Sequence, residues 1–233
     1  MRYSNIQKGI FLSRPNRFIA RVMIEGREET VHVKNTGRCK ELLKSGASVW
    51  LEKSDNPNRK TVYDLVVVQK GALLVNMDSQ APNKVFGEWA AAGHFVEGLT
   101  LLRPETTWGG SRFDFYWEAG ERKGFVEVKG CTLEENGHAR FPDAPTERGV
   151  KHLEELIRAK EAGYETTVCF VLQMSPMKTF SPNDETHPAF GDALRKAEKA
   201  GVQVLAVECH VTPDILEMTE FVPVCLYGLQ AEM

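Results

Sequence analysis

Cysteine is scarce in this sequence, and long apolar runs are missing. The five cysteines, at positions 39, 131, 169, 209 and 225, form no CxxC pair, so neither a zinc site nor a disulfide framework is indicated. No apolar run approaches the roughly 18 residues that a membrane span requires. The first residues, MRYSNIQKGIF, lack the apolar region of a signal peptide. These absences predict a cytoplasmic protein with no membrane partner.

Two common kinds of hydrolase site are also absent. There is no GxSxG nucleophile elbow, and Cys131 has only His138 near it in the sequence, so a serine or cysteine hydrolase has little support. The 233 residues, 42% hydrophobic and 26% charged, are instead typical of a globular chain. That length fits one large domain or two small ones.

Charge is distributed unevenly along the chain. Residues 1–83 contain 14 basic and 8 acidic side chains, which leaves 15 basic and 24 acidic side chains for residues 84–233. A basic part joined to an acidic part suggests two modules with different roles. The basic module can bind phosphates, and the acidic module can hold a divalent cation.

The first part, residues 1–82, is rich in short runs with strand-type alternation. After the third run comes TGRCKELLKSG (36–46), which predicts one or two helical turns opened by Asn35 or Thr36 and closed by Gly46. Several short strands with a small helix after the third are typical of an OB-type Greek-key barrel. The runs are GIFLSR, RFIARVMI, ETVHVKN, SVWLEK, TVYDLVVVQ and ALLVNM.

Basic residues gather in the first half of this predicted barrel. OB barrels bind oligonucleotides with basic and aromatic side chains, so we expect DNA contacts from Arg14, Arg17, Arg38 and Lys40. The alternative is an ordinary solvated barrel surface. The full basic set in this stretch is Arg14, Arg17, Arg21, Lys34, Arg38 and Lys40.

The second part, residues 83–233, alternates strand and helix patterns. A strand, a helix and a further strand in succession predict a parallel pair with a right-handed crossover, so this part is α/β with a mixed sheet flanked by helices, and the whole chain is α+β. We interpret residues 134–145 and the Pro-containing segment before 189 as loops. The predicted helices are 84–95, 146–162 and 189–200, and the predicted strands are 100–107, 112–117, 124–133, 166–174 and 202–210.

The stretch GFVEVKG (124–130) carries the strongest chemical signal. Because side chains alternate along a strand, Glu127 and Lys129 share one face with Phe125. If the preceding strand pairs with this one as a hairpin, Asp114 approaches Glu127, and Mg²⁺ or Mn²⁺ accepts such carboxylates together with the Val128 carbonyl. Lys129 can then orient or deprotonate the attacking water, or hold a phosphate oxygen. The alternative is an exposed charge pair on an antiparallel face.

Three residues on neighbouring helices extend this candidate site. Glu88 on the first helix can supply a further metal carboxylate, although a solvent-facing role is an alternative. Arg148 and Lys151 lie one helical turn apart, with His152 and Glu155 continuing the same polar side, so both cations can meet DNA phosphates. The alternative for the helix is a solvated face with Glu147–Lys151 as an ion pair.

Four motifs together resemble the sugar fermentation stimulation protein A family: HVKNTGRCKELL, SRFDF, FVEVKGCTL and FPDAPTERGVKHLEEL. The resemblance covers nearly the whole chain and implies an OB-like domain, a PD-(D/E)XK nuclease-like domain and DNA binding linked to sugar (maltose) utilisation. Asp114, Glu127 and Lys129 match the nuclease-like triad. The proline of the superfamily's name is absent, because Phe113 precedes Asp114.

Three functional hypotheses follow from these residues. The first is a DNA phosphodiesterase that depends on Mg²⁺ or Mn²⁺ and acts on DNA, expected to be double-stranded. The second is a DNA-binding regulator that keeps the nuclease fold without catalysis. The third, with least support, is an RNA- or protein-interaction module with a vestigial triad.

Overall fold

The computed structural model describes residues 1–35 and 37–227, and it contains a barrel followed by an α/β unit. Thr36, one of the two residues proposed to open a short helix, lies outside the described residues. The barrel strands are β1 (Ile6–Asn16), β2 (Ile19–Ile24), β3 (Arg27–Val33), β4 (Ser48–Lys53), β5 (Tyr63–Lys70) and β6 (Leu73–Asn76). These strands coincide with the six runs predicted from the sequence.

The barrel closes through a pairing between strands that are distant in the sequence. The strand order is β3-β2-β1-β4-β5-β6, and β3 also pairs in parallel with β5 through His32↔Asp64 and Val33↔Leu65. Five strands therefore form a closed barrel of the OB type, as predicted. Its interior is filled by alternate apolar side chains such as Val22, Val31 and Leu51, which are fully buried.

Where one or two helical turns are predicted between the third and fourth strands, the described residues form isolated hydrogen-bonded turns and no helix. The segment forms turns, with the amides of Leu42 and Leu43 both donating to the carbonyl of Cys39. Cys39 has φ +45°, which a right-handed helix does not accommodate. Cys39 and Leu42 are buried in the barrel core, so tertiary packing overrides the local helical pattern.

The α/β unit follows with no long linker. Its helices are α1 (Ala81–Ala91), α2 (Glu147–Glu161) and α3 (Pro188–Lys199), in agreement with the predicted positions except that α1 both starts and ends earlier than the predicted 84–95. Its strands are β7 (Leu101–Trp108), β8 (Ser111–Ala119), β9 (Arg122–Cys131), β10 (Leu133–Glu135), β11 (His138–Phe141), β12 (Glu165–Leu172), β13 (Thr179–Pro182), β14 (Gln203–Val211) and β15 (Leu216–Phe221).

The main sheet of this unit is mixed, as the sequence predicts. Its strand order is β15-β14-β12-β9-β8-β7, with β12 parallel to both β9 and β14 and β8 antiparallel to β9. Helix α1 packs on one face, where Phe86 and Trp89 join Val126 and Val128 in one apolar cluster. Helices α2 and α3 cover the other face, so β9 lies near the middle of three layers.

Four strands, β10, β11, β13 and β15, were not predicted. Residues 134–145 were interpreted as a loop, yet β10 and β11 form a hairpin there, and β11 pairs in parallel with β13 in the second predicted loop. These strands have only three or four residues, and β11 pairs with β13 across about forty positions, so no local periodicity reveals them. Strand β15, antiparallel to β14 at the sheet edge, was also not predicted.

Several contacts join the barrel to the α/β unit. The Gln173 side chain donates to Asn76 Oδ1 at 2.9 Å, and Lys70 Nζ donates to Glu134 Oε2 at 2.6 Å. The terminal ammonium of Met1 donates to the Leu216 carbonyl at 2.7 Å, so the chain starts on the second unit before entering the barrel. We propose a division after residue 82, within the first turn of α1.

No helix among residues 1–35 and 37–227 is long and apolar enough to cross a membrane.

A buried carboxylate lies where strands β3 and β5 pair to close the barrel. Asp64, 4% exposed, accepts two hydrogen bonds from Arg59, at 2.8 and 2.6 Å, and contacts His32 Nδ1 at 2.8 Å. Burial alone would raise the pKa of Asp64, but the hydrogen bonds from Arg59 and His32 and the charge of Lys34 outweigh it and lower the pKa.

We expect Asp64→Asn to reduce the free energy of unfolding at neutral pH by about 3 kcal/mol, because it leaves Arg59 without its partner charge. The ionised carboxylate contributes its full stabilisation at pH values above the pKa that Asp64 has in the unfolded chain. This contribution disappears as the pH falls through the lower pKa that Asp64 has in the folded protein. Urea unfolding at several pH values measures the effect. The difference in free energy of unfolding between wild type and variant should become smaller below about pH 4. A difference that does not change with pH would contradict this account.

Candidate metal and nucleic-acid site

Strand β9 places Glu127 on the face that α2 covers. Val126 and Val128 pack toward α1, whereas Phe125 belongs to the cluster on the opposite face. Glu127 therefore lies beneath α2 and is only 2% exposed. The alternation predicted for GFVEVKG is thus present, and the alternative of an exposed charge pair does not fit a carboxylate this deeply buried.

Asp114 lies where β8 separates from β9. The ladder between the two strands ends at Phe115↔Val126, and Asp114 then reaches across so that its Oδ2 accepts a hydrogen bond from the Val128 amide at 2.8 Å. Asn83 in the first turn of α1 donates to Asp114 Oδ1 at 2.7 Å. Three elements therefore fix this carboxylate beside the strand that carries Glu127.

The two oxygens of Glu127 have different surroundings. Oε1 accepts a hydrogen bond from Lys129 Nζ at 2.5 Å and is also in contact with Nδ1 of His152 on α2. Oε2 is buried and has no hydrogen-bond partner among the described residues. A buried carboxylate oxygen without a partner is costly, so Oε2 is a free ligand position inside the site.

The charges of the two carboxylates oppose each other. Burial raises the pKa of Asp114, and the nearby negative charge of Glu127 raises it further. Burial also tends to raise the pKa of Glu127, but the His152 hydrogen bond and the Lys129 ammonium outweigh it, so that pKa lies below its ordinary value. A divalent cation beside both groups would stabilise the charged form of Asp114.

A donor set of this kind fits Mg²⁺ or Mn²⁺. Among residues 1–35 and 37–227, no group of three or more His, Cys, Asp and Glu side chains is arranged to hold a metal. Mg²⁺ usually keeps several waters and uses one or two carboxylates, so Asp114 and the free Oε2 of Glu127 suffice. The Val128 carbonyl stays a proposed third ligand.

His152 is a site residue that sequence reasoning missed. It was grouped with Glu155 on a polar helix side, yet the two are 5% and 4% exposed. Arg148 Nε donates to His152 Nε2 at 3.3 Å, so Nδ1 carries the ring hydrogen and donates to Glu127. The four-residue spacing of Arg148 and His152 was the available signal, since such residues share a helix face.

We expect His152→Ala to weaken Mn²⁺ binding and metal-dependent activity about 10- to 100-fold, as is usual when a group that orients a ligand is lost. His152→Asn should recover part of the loss, because its amide can donate to Glu127. His210→Ala, at an exposed position of β14, is the control. Isothermal titration calorimetry with Mn²⁺ provides the measurement. An unchanged Mn²⁺ affinity in His152→Ala would show that His152 does not support metal binding.

Glu88 does not join this cluster, so its assignment as a metal ligand is corrected. Its carboxylate pairs with the terminal ammonium of Met1 at 2.7 Å. Glu88 follows Asn83 by five residues, which turns the helix through about 500° and leaves the two side chains on different sides. Asn83, which contacts Asp114, is instead the residue that α1 contributes.

The two cations of α2 have different neighbours. Arg148 is exposed and contacts His152, while Lys151 is exposed and donates to the Gly110 carbonyl at 2.9 Å. The alternative ion pair of Lys151 with Glu147 does not form, because Glu147 pairs with His187 at 3.3 Å. Both cations lie on the helix that covers Glu127.

Four basic residues of the barrel surround a shallow depression of about 350 Å³, which we call the basic depression. It is lined by Arg14, Asn16, Arg17, Gly37, Arg38, Lys40 and Leu43. The other two basic residues of the sequence cluster are paired with acids: Arg21 with Glu28 at 3.0 Å, and Lys34 with Asp78 at 3.2 Å.

Arg14 differs from the other three basic residues of the depression. Its two terminal nitrogens donate to the carbonyls of Asn35, Arg17, Gly37 and Arg38, at 2.6, 2.8, 2.9 and 2.9 Å. This guanidinium therefore holds the loop after β3 against the hairpin between β1 and β2. Arg17, Arg38 and Lys40 are exposed around it.

A second cavity, of about 320 Å³, lies between the barrel and the α/β unit, and we call it the interdomain cavity. The barrel side contributes Asn35, Gly37 and Ser79, and the other side contributes residues 130–133, 140–146 and Gln173. Gly130 directly follows Lys129, and Gly37 also lines the basic depression. The two depressions thus share one lining residue, Gly37.

The fold and the site define a two-part protein in which an OB barrel precedes an α/β unit with a buried carboxylate pair. Residues 12–77 match the family description "SfsA N-terminal OB domain", and residues 80–215 match "Sugar fermentation stimulation protein RE domain". The chain therefore belongs to the sugar fermentation stimulation protein (SfsA) family, as its motifs predict.

Individual relatives agree with this assignment over nearly the whole chain. The "Sugar fermentation stimulation protein homolog" of Desulfitobacterium hafniense is 60% identical over 226 residues, which cover 97% of this chain and 99% of that protein. The homolog of Clostridium beijerinckii is 54% identical, with 97% and 100% covered. The structure of Pyrococcus furiosus SfsA in complex with Ca²⁺ superposes with a TM-score of 0.87 at 28% identity and covers 96% of this chain and 97% of that one.

Proposed function

We propose that this protein is a DNA phosphodiesterase that depends on Mg²⁺ or Mn²⁺. The observation that carries the proposal is the buried, unpartnered Oε2 of Glu127 beside Asp114, at a site where two acids and an ammonium converge. The Ca²⁺ bound by the Pyrococcus furiosus relative supports a divalent cation in this family. When bound, the metal would lower the pKa of a water and stabilise negative charge on the phosphate.

Each side chain has a distinct role in this proposal. Asp114 and Glu127 hold the metal, with the Val128 carbonyl as a further ligand. Lys129 orients the attacking water or binds a phosphate oxygen, and its ammonium compensates the charge of Glu127 in the absence of substrate. His152 and Asn83 keep the two carboxylates in fixed orientations.

DNA is the proposed partner because exposed cations lie on the barrel and on α2, the helix that covers Glu127. Arg17, Arg38 and Lys40 lie on the barrel, and Arg148 and Lys151 lie on α2, all of them exposed. Each phosphate contact should release counterions and make binding salt-dependent. We place this activity in the cytoplasm.

The test is nicking of supercoiled plasmid by the purified protein. We expect relaxed and linear products with Mg²⁺ or Mn²⁺, and none with EDTA. Intact plasmid under every metal condition, together with salt-dependent DNA binding, would reject the catalytic proposal. That result would favour the second candidate, a DNA-binding regulator without catalysis, which the relatives' naming for sugar fermentation stimulation supports. Competition between DNA and RNA for binding at fixed salt distinguishes the phosphodiesterase and the DNA-binding regulator from an RNA-binding module.

A further inference from the structure

Phe18 is an exposed aromatic side chain that the barrel core does not use. It lies in the turn between β1 and β2 and is 47% exposed. Its backbone is held on both sides: the amide donates to Asn16 Oδ1 at 2.9 Å, and the carbonyl accepts from the Val33 amide at 2.8 Å. The ring is therefore presented to solvent from a fixed turn.

One cation, Arg17, lies over this ring. The Arg17 guanidinium lies 5.1 Å from the centre of the Phe18 ring, and the Arg17 carbonyl is fixed by Arg14 at 2.8 Å. Within the described residues, none of Arg17, Arg38 and Lys40 forms a salt bridge with a carboxylate. An aromatic face beside free cations matches the combination with which proteins bind the bases and phosphates of single strands.

The basic depression begins at this turn, because Asn16 and Arg17 line it. The basic depression, which Arg17 lines, meets the interdomain cavity at Gly37. Gly37 packs closely against Asp143 there, since a Cβ would lie 2.6 Å from Asp143 Oδ2. The cavity wall is polar and carries the acidic Asp143, so it suits base edges and sugars better than phosphates.

We propose that Phe18 stacks on an unpaired base of a nucleic-acid strand. The phosphates of that strand bind Arg17, Arg38 and Lys40. Bases within a duplex are covered on both faces, so stacking on Phe18 requires a single-stranded segment. This inference rests on the proposed function and changes its substrate from a plain duplex to a nucleic acid with unpaired nucleotides.

The experiment measures binding without cleavage. Fluorescence anisotropy in EDTA compares a labelled single-stranded oligonucleotide with the duplex of the same sequence. We expect Phe18→Ala to weaken single-strand binding roughly 10- to 100-fold with little change for the duplex. Phe18→Tyr should restore binding. Val62→Ala removes another side chain of similar exposure, 46%, and should bind like the wild type.

Salt dependence separates stacking from charge. The salt slope of Phe18→Ala should equal that of the wild type, whereas Arg17→Gln combined with Arg38→Gln should lower the slope by about 0.7 for each lost phosphate contact. Equal binding by Phe18→Ala and wild type would overturn the proposal, as would an equal loss on single strand and duplex. The binding assay contains no metal, so its results do not depend on whether the protein cleaves DNA. The plasmid assay tests the nuclease proposal separately.

Discussion

Asp114→Asn is expected to lower metal-dependent DNA nicking by at least about 100- to 1,000-fold while the protein stays folded. The amide lacks the charge that a divalent cation needs, but it has the shape of the carboxylate and still accepts a hydrogen bond from the Val128 amide. Plasmid nicking under single-turnover conditions, with circular dichroism for the fold, measures both parts of this prediction.

The thermal stability of this variant makes the prediction sharper. Burial and the charge of Glu127 raise the pKa of Asp114, so its ionised form opposes folding at neutral pH when no metal is bound. Neutralising the side chain should therefore leave the metal-free melting temperature unchanged or higher. Such a gain of stability with loss of activity is expected where a site holds like charges close together.

Glu88→Gln is the matched control for Asp114→Asn. It makes the same kind of change on an acid that pairs with the chain terminus at 2.7 Å and lies outside the cluster. Its nicking activity should equal that of the wild type. If Glu88→Gln loses activity and Asp114→Asn keeps it, the assignment of ligands described above is incorrect.

Lys129→Met should give the second large effect, a fall in the cleavage rate of about 100-fold or more. The substitution keeps most of the side-chain volume but removes the ammonium that donates to Glu127 at 2.5 Å. The rate constant for a bound DNA should fall, whereas DNA affinity should change little, because one partly buried cation contributes little to the overall phosphate contact.

Lys123→Met provides the control for this prediction on the same strand and the same face. Lys123 is exposed, and its ammonium lies 5.2 Å from the Tyr164 ring centre rather than at the carboxylates. Cleavage rates that fall equally in both variants would indicate a general charge effect. A Lys129→Met protein with lower affinity and a normal rate would assign Lys129 to binding only.

The acid–acid–lysine arrangement could be predicted because it depends on local rules. Alternation along β9 puts Glu127 and Lys129 on one face, and the short connection after β8 indicates a hairpin that brings Asp114 near. His152 could not be placed in the same way. Its contact with Glu127 depends on how α2 lies across the sheet, and the alternation of one strand carries no information on that packing.

Arg14 and Arg38 also show that the sequence does not reveal how a side chain packs in the folded barrel. In the sequence both are basic residues of one cluster, and nothing in their type separates them. In the fold, Arg14 donates to four backbone carbonyls, whereas Arg38 is exposed at the surface. Charge patterns predict where cations gather, but which of them face solvent is decided by the loop that closes over them.

The most direct test of the account is the position of Mn²⁺ in a crystal soaked with the metal. We predict an anomalous difference peak within coordination distance, about 2.0–2.3 Å, of both the Asp114 carboxylate and Glu127 Oε2, with no peak in Asp114→Asn crystals. A Mn²⁺ peak at another group of side chains, with none between Asp114 and Glu127, would contradict the proposed metal site and the phosphodiesterase that depends on it.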